Sequence, residues 1–445
     1  MITTHDPPST RHIERIEAEG LFGQFNHDLH FGKQLPENPN LLILYGENGT
    51  GKTTLLWLVY HLLNREIDRG HRTFLAKHRF TKLCVTFSDG LEIAATRKEP
   101  SLGGFVLTAR DKSGVISRFS YKSEQDGSIK TPPSRPHLEF SQSLPEFGLR
   151  FLPHSRLTVP DEDPRSARWR TLAEVKAGAK GADVSPIQVS IAKALGITRQ
   201  QALTASNQGQ FTANSIYAQL IEQISQMQWP LAEREGGEAR SNLMHRLESQ
   251  SKTTMDYSSF GLISELHVEG LVKTLQTIPL DRLHLVVQVL EPFLRGNEAR
   301  FEALRVLHVA LTAMVESVNS LYLNKRISLH LEKGLQIETS AGERLRPTQL
   351  SSGEQELLIL FCELISSLKP NTILFIDEPE LSLNITWQKA LLDSLLRCAS
   401  GTNIEFLVAT HSIEILARHR PNVTRLSNKP LGSPEVHADP ANTKV

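Results

Sequence analysis

Gly46-Glu47-Asn48-Gly49-Thr50-Gly51-Lys52-Thr53 sets three glycines, a lysine and a hydroxyl within one short stretch. The spacing is G-x-x-x-x-G-K-[S/T], a pattern suited to gripping phosphate. Glycines let successive backbone N–H groups curl around an anion, and a helix starting directly afterwards adds the partial positive charge of its N-terminus. In such a cradle Gly46, Asn48, Gly49 and Gly51 would shape the loop around ATP, and Lys52 would reach the β- and γ-phosphates. Thr53 would ligate Mg²⁺, and Thr54 would lie near the α-phosphate. A chance match arises in about one chain in a hundred of this length. A second chemical group lies far downstream. Ile373-Leu374-Phe375-Ile376-Asp377-Glu378 is four apolar residues followed by two carboxylates, the layout of a Walker B strand. A buried strand would carry Asp377 to the carboxyl edge of a sheet, where it can hold Mg²⁺ through water. Glu378 would orient and deprotonate the attacking water.

The elements needed to position these groups are legible around them. Leu41–Tyr45 is a continuous apolar run, as for a parallel strand covered on both faces, and Leu55, Leu56, Val59, Leu62 and Leu63 mark a helix after the loop. Two short strands are expected within 12–31. Between Arg72 and Tyr121 the period falls towards two, with hairpins at 83–95 and 105–121. From about Ser185 to Leu323 the pattern is helical, and 301–321 presents Leu304, Leu307, Leu311, Met314, Val315, Val318 and Leu321 along one face. A helix of about 25 residues there would reach only about 37 Å, a compact arm or cap and not a long rod. Strands at 327–331 and 335–338, a helix from Glu354 to about Leu368, a buried strand at 373–376, a helix at 387–398 and a last strand at 404–409 complete the chain.

Leu350-Ser351-Ser352-Gly353-Glu354-Gln355 resembles the signature motif of ABC-type ATPases, usually written LSGGQ or LSGGE, with Ser352 in place of its first glycine. Read by itself, Ser351 followed by Glu354 is also a helix capping box, and both readings can hold together. In that family the motif closes on ATP held by a second head. The resemblance therefore implies that Ser351, Ser352, Gly353 and Glu354 belong to the nucleotide site of a partner copy. Glu380-Leu381-Ser382-Leu383-Asn384 resembles the D-loop, which touches the opposite subunit, although Asn384-Ile385 stands where many relatives carry His-Pro. Thr410-His411-Ser412 resembles the switch histidine that contacts the γ-phosphate; His411 follows Asp377 by 34 positions, after one helix and one strand.

The signature's Leu-Ser-Ser-Gly-Glu form, the Glu-Pro-Glu-Leu-Ser-Leu run and the 299 positions from Lys52 to Ser351 resemble the SMC/RecF/OLD-like group more than transporter subunits. That resemblance implies a P-loop NTPase fold: an α/β ABC-type head with an antiparallel β-subdomain and an all-helical insertion. Its parts would be an N-terminal lobe over 1–155, a helical insertion over 156–323, a C-terminal lobe over 324–425 and a flexible tail over 426–445. It further implies ATP hydrolysis through Glu378, His411 and Lys52, and a homodimer of heads or a higher homo-oligomer. The glutamine loop is not identifiable; by position His154 or Ser155 stands there, and Phe25 or Asn26 would lie over adenine. The chain resembles the stand-alone ATPase subunits of bacterial antiphage systems such as PARIS, Septu and some retrons, which act beside a separately encoded effector, commonly an HNH or TOPRIM-type nuclease. Only 34 residues follow His411, too few for a TOPRIM domain in this sequence. The alternatives are a repair or recombination ATPase acting on DNA ends, and a transporter ATP-binding subunit.

Composition narrows the classes further. Lys plus Arg and Asp plus Glu each total 49, so the formal charge is zero and no polybasic coat for nucleic acid exists. A DNA contact would need a local patch such as Arg65, Arg69, Arg72, Lys77, Arg79 and Lys82, although such a run, set against Glu66 and Asp68, reads more readily as a solvated helix end and loop. No apolar run reaches the ~20 residues that span a bilayer. Acidic residues in the first 30 positions argue against a signal peptide. Cys84, Cys362 and Cys398 cannot make a disulfide framework, so a reducing cytoplasm without membrane association is expected.

Overall fold

Leu41–Tyr45 (β3), Thr372–Asp377 (β12) and Glu405–Thr410 (β13) are buried at nearly every position, which is what a strand covered on both faces requires. In the computed structural model they lie side by side and parallel. Residues 11–31, 38–66, 70–129, 140–142, 144–154, 185–226, 236–369 and 371–426 are described. The N-terminal leader, the proline clusters at 132–136 and 160–164, Arg69, Ser155 and the tail from 427 lie outside them. With Gly148–Leu152 (β8) and Val423–Arg425 (β14), the three central strands form a five-stranded sheet of order β14-β3-β13-β12-β8, every pair of which is parallel. Its register sets Tyr45 beside Thr410, Asp377 beside Ala409, and Ile376 beside Leu152. The residues following Tyr45, Asp377, Thr410 and Leu152 therefore leave the sheet at one edge.

A second sheet in the same compact unit (1–154, 369–389, 403–445) is antiparallel. Its strands are Ile13–Leu21 (β1), Phe25–His30 (β2), Phe80–Phe87 (β4), Glu92–Ser101 (β5), Phe105–Asp111 (β6) and Gly114–Tyr121 (β7), in the order β2-β1-β4-β5-β6-β7. Both expected hairpins are present. One short helix, His71–Ala76 (α2), stands where the sequence shows a period of two. It is held by Arg72, which is buried and donates to the carbonyls of His61, Leu62 and Asn64 at the end of Lys52–Leu63 (α1). Leu55, Leu56, Leu58, Val59 and Leu62 of α1 are fully covered and join Phe375 and Leu407 in one core. Each contributes about 2 kcal/mol relative to exposure.

The other unit (155–368, 390–402) holds the long helices Pro186–Gln226 (α3), Gly236–Ser258 (α4), Glu269–Thr277 (α5) and Leu280–Leu321 (α6). It also contains a small antiparallel sheet of Lys325–His330 (β9), Gly334–Thr339 (β10) and Arg344–Leu345 (β11), and the buried helix Ser352–Ile365 (α7). The sequence expectation of a helix of ~25 residues is corrected here: α6 has 42 residues and α3 has 41, which makes each about 60 Å long. Pro292 lies inside α6, where proline normally ends a helix. The helix continues because tertiary contacts grip both sides of it. Leu294 is fully covered, Gln250 donates to its carbonyl, and Arg246 bridges Glu291 and Glu298. The remaining helices are Ile385–Cys398 (α8) and Ile413–Arg418 (α9). The whole is an α/β P-loop NTPase-class chain with an antiparallel β-subdomain and a helix-rich second unit. No helix among the described residues is long and apolar enough to cross a membrane.

Candidate functional site

The loop after β3 turns through Gly49 and Gly51, both left-handed with φ of 85° and 86°, a region that only glycine enters without strain. Lys52, 6% exposed, opens α1 and folds back over the loop, its Nζ donating to Gly46 O at 2.6 Å and Glu47 O at 3.3 Å. Thr50 Oγ1 donates to Glu47 O. The Thr53 hydroxyl donates to both Asp377 oxygens, at 2.9 and 3.1 Å, although the residues are 324 positions apart in the chain. A hydroxyl and a carboxylate meeting at one point are hard oxygen donors of the kind Mg²⁺ takes, so the residues present fit that ion. Thr54 lies in the first turn of α1.

At the next position Glu378 takes φ of 47°, uncommon for a residue with a side chain, while its N–H donates to Ala409 O. This kink turns its carboxylate along the sheet edge towards the loop after β13. There His411 Nδ1 hydrogen-bonds Glu378 and lies 3.5 Å from Glu380 Oε1. Burial, then the hydrogen bond and charge of Glu380, push the Glu378 carboxyl up to about 7, while His411 and Lys52 pull it back. A carboxylate tuned near neutrality and bonded to a histidine suits it to accept a proton from water.

His154, just past β8, places its Nδ1 3.5 Å from Asp377 Oδ2. The structure thus brings Lys52, Thr53, Asp377, Glu378, His411 and His154 to one carboxyl edge. Of the residues expected near adenine, Asn26 accepts a hydrogen bond from Gly20 N inside the β1–β2 hairpin, and Phe22 of the same hairpin abuts the loop. A Cβ added at Gly51 would meet Phe22 Cε2 at 3.0 Å. Glu380 was visible only as part of a motif, and its buried side chain was not.

The signature residues belong to the other unit. Ser351 is the N-cap of α7 and forms the capping box with Glu354. Ser351 N and Oγ donate to Glu354 Oε2 at 2.8 and 2.9 Å, and Lys325 Nζ donates to both carboxylate oxygens. Tyr322, the C-cap of α6, donates its hydroxyl to Glu354 O at 2.6 Å. Ser352 is exposed and Gly353 buried. No sequence signal marked Lys325 or Tyr322. Of the basic patch, Arg72 caps α1 from inside, Arg65 is bound to Ser141 O and Gln142 O, and Lys82 pairs with Glu17, while Lys77 and Arg79 are exposed.

Residues 294–417 match a protein-family model described as "AAA domain, putative AbiEii toxin, Type IV TA system". A stretch of 97 residues is 34% identical to the lipoprotein-releasing system ATP-binding protein LolD of Ruegeria pomeroyi, taking in 22% of this chain and 40% of that protein's length. Among solved structures, the chain is similar to the Smc head domain with an extended coiled coil bound to the C-terminal domain of ScpA from Pyrococcus furiosus. That match has a TM-score of 0.37, 14% identity and 92% coverage of both chains. The Smc head domain with a coiled coil and joint from Pyrococcus yayanosii gives 0.36 and 15%, over 92% of this chain and 94% of that one. Scores this low record a likeness and nothing more. The family match and the curated relative support an ATPase domain of the ABC/AAA type.

Proposed function

We propose that this protein binds ATP–Mg²⁺ in the loop 46–53 and hydrolyses it, and that nucleotide closes two copies head to head. The observation that carries the reading is the convergence at one sheet edge of the Lys52 cradle, the Thr53–Asp377 pair and the Glu378–His411 pair. In this reading backbone N–H groups of 48–53 and the α1 N-terminus hold the phosphates. Lys52 exchanges its own loop carbonyls for phosphate oxygens. Thr53 and Asp377 would hold Mg²⁺, which neutralises charge building between the β- and γ-phosphates. Glu378 takes a proton from the attacking water, and His411, bonded to Glu378, faces the γ-phosphate. Ser351 of a second copy, at the positive end of α7, would complete the shell around that phosphate. ATP touching both copies exists only in the closed pair, so binding shifts the equilibrium towards it and hydrolysis releases it.

That cycle would gate a separately encoded effector, a nuclease in an antiphage system; the support is the resemblance of the motifs. Glu378→Gln tests the core of the reading. This variant should bind ATP, accumulate as a dimer in light scattering and turn over at least about 100-fold more slowly. Normal turnover by Glu378→Gln would refute the assignment. For the effector, co-expression with neighbouring reading frames should give phage resistance that Lys52→Ala abolishes; resistance that survives this change sinks the defence reading.

A further inference from the structure

Beyond its effect on the Glu378 carboxyl, Glu380 has a side chain that is 4% exposed and whose surroundings are crowded with donors. Its Oε1 alone accepts from Thr410 Oγ1 at 2.5 Å, His411 N at 2.9 Å and Ser412 N at 3.0 Å. Leu383 N bonds the Glu380 carbonyl, Gln388 Nε2 donates to Leu383 O, and Ser412 Oγ donates to Gln388 Oε1. The segment 380–388 and the loop 410–412 are thereby stitched at two points. A buried carboxylate is costly unless several donors meet it. Here it also lies beside a second carboxylate: ligand atoms of Glu378, Glu380 and His411 all fall within 4.8 Å of one another. Like charges placed so close cost stability, and a turn at the end of β13 could be closed with an uncharged acceptor. The arrangement is explained by what it holds.

We infer that Glu380 is a positioning residue that clamps the backbone of 410–412 and so fixes the His411 imidazole against Glu378. It acts through His411 and touches no phosphate. The inference rests on the ATPase reading for its catalytic consequence, but the clamp itself does not depend on nucleotide.

Two measurements on the full-length protein separate these. Without nucleotide, amide hydrogen exchange of the peptide covering 410–412 should speed up on the order of tenfold in Glu380→Ala. It should stay near wild type in Glu380→Gln, whose amide oxygen accepts the same three donors. In steady-state turnover, Glu380→Ala should lose on the order of 100-fold in kcat, the scale of a displaced catalytic group, with ATP affinity unchanged. Glu380→Gln should recover most of that loss. If Glu380→Ala does not fold, Thr410→Val removes one of the three donors and should lower kcat about tenfold, again at unchanged ATP affinity. Unaltered exchange in Glu380→Ala, a Glu380→Gln variant as slow as Glu380→Ala, or undiminished kcat in Thr410→Val overturns the inference. A wild-type protein with no turnover sinks the ATPase reading while the exchange result still decides the clamp.

Discussion

Lys325→Met is the perturbation whose magnitude the structure defines best. Lys325 Nζ donates to Glu354 Oε1 at 2.8 Å and Oε2 at 2.9 Å; the carboxylate is 8% exposed and the lysine 25%. Removing one partner of a fully buried ion pair costs about 3–5 kcal/mol, because the other charge is stranded. Two features reduce that figure here. The ammonium is partly screened by water, and Glu354 keeps two donors from Ser351. The expected loss is about 2 kcal/mol. Glu354→Gln should cost about 1.5 kcal/mol, and the double variant about 2 rather than the sum of about 3.5, a coupling of about 1.5 kcal/mol.

Urea unfolding followed by circular dichroism at pH 7 measures all four corners of the cycle. The pH dependence adds a second check. Burial alone would raise the Glu354 carboxyl, but Lys325 and the Ser351 donors outweigh it and hold the group below its ordinary value of 4.5. A depressed folded value means the stabilisation is complete above 4.5 and fades as pH falls through the lowered folded value. Wild type and Lys325→Met should therefore converge in acid and diverge above it. Additive single losses, or a Lys325→Met loss under about 0.5 kcal/mol at pH 7, would refute the reasoning.

The other predictions concern separate parts of the chain. Gly51→Ala must adopt a left-handed conformation at about 1–2 kcal/mol and press its methyl on Phe22, so it should abolish retention of a fluorescent ATP analogue while the fold persists by circular dichroism. Arg72→Met leaves the carbonyls of His61, Leu62 and Asn64 unpaired and should destabilise by about 3 kcal/mol in urea; a neutral result would show the patch to be surface charge after all. Burial pushes the thiols of Cys84 and Cys398 up to about 12 and that of Cys362 higher still. None should react with iodoacetamide at pH 8 in the folded protein, and all three should in urea.

Phosphate chemistry was legible in the sequence because it demands particular residue types at tight local spacing. Glycines at 49 and 51 are required by left-handed backbone, Lys52 by charge, and the run 373–378 by burial followed by two carboxylates. The strands β3, β12 and β13 were legible for the same reason, since a strand covered on both faces is apolar throughout. What lies far apart in the chain was decided only by the fold. The parallel register joins Thr53 to Asp377 and Glu378 to His411, and no local pattern encodes that register. The continuation of α6 through Pro292 depends on Arg246 and Gln250 from another helix. Glu380 and Lys325 look like ordinary charged residues in the sequence. Their partners are backbone N–H groups and a carboxylate that come within reach only once the chain has folded, and hydrogen bonds and ion pairs act over a few ångströms of space, not of sequence.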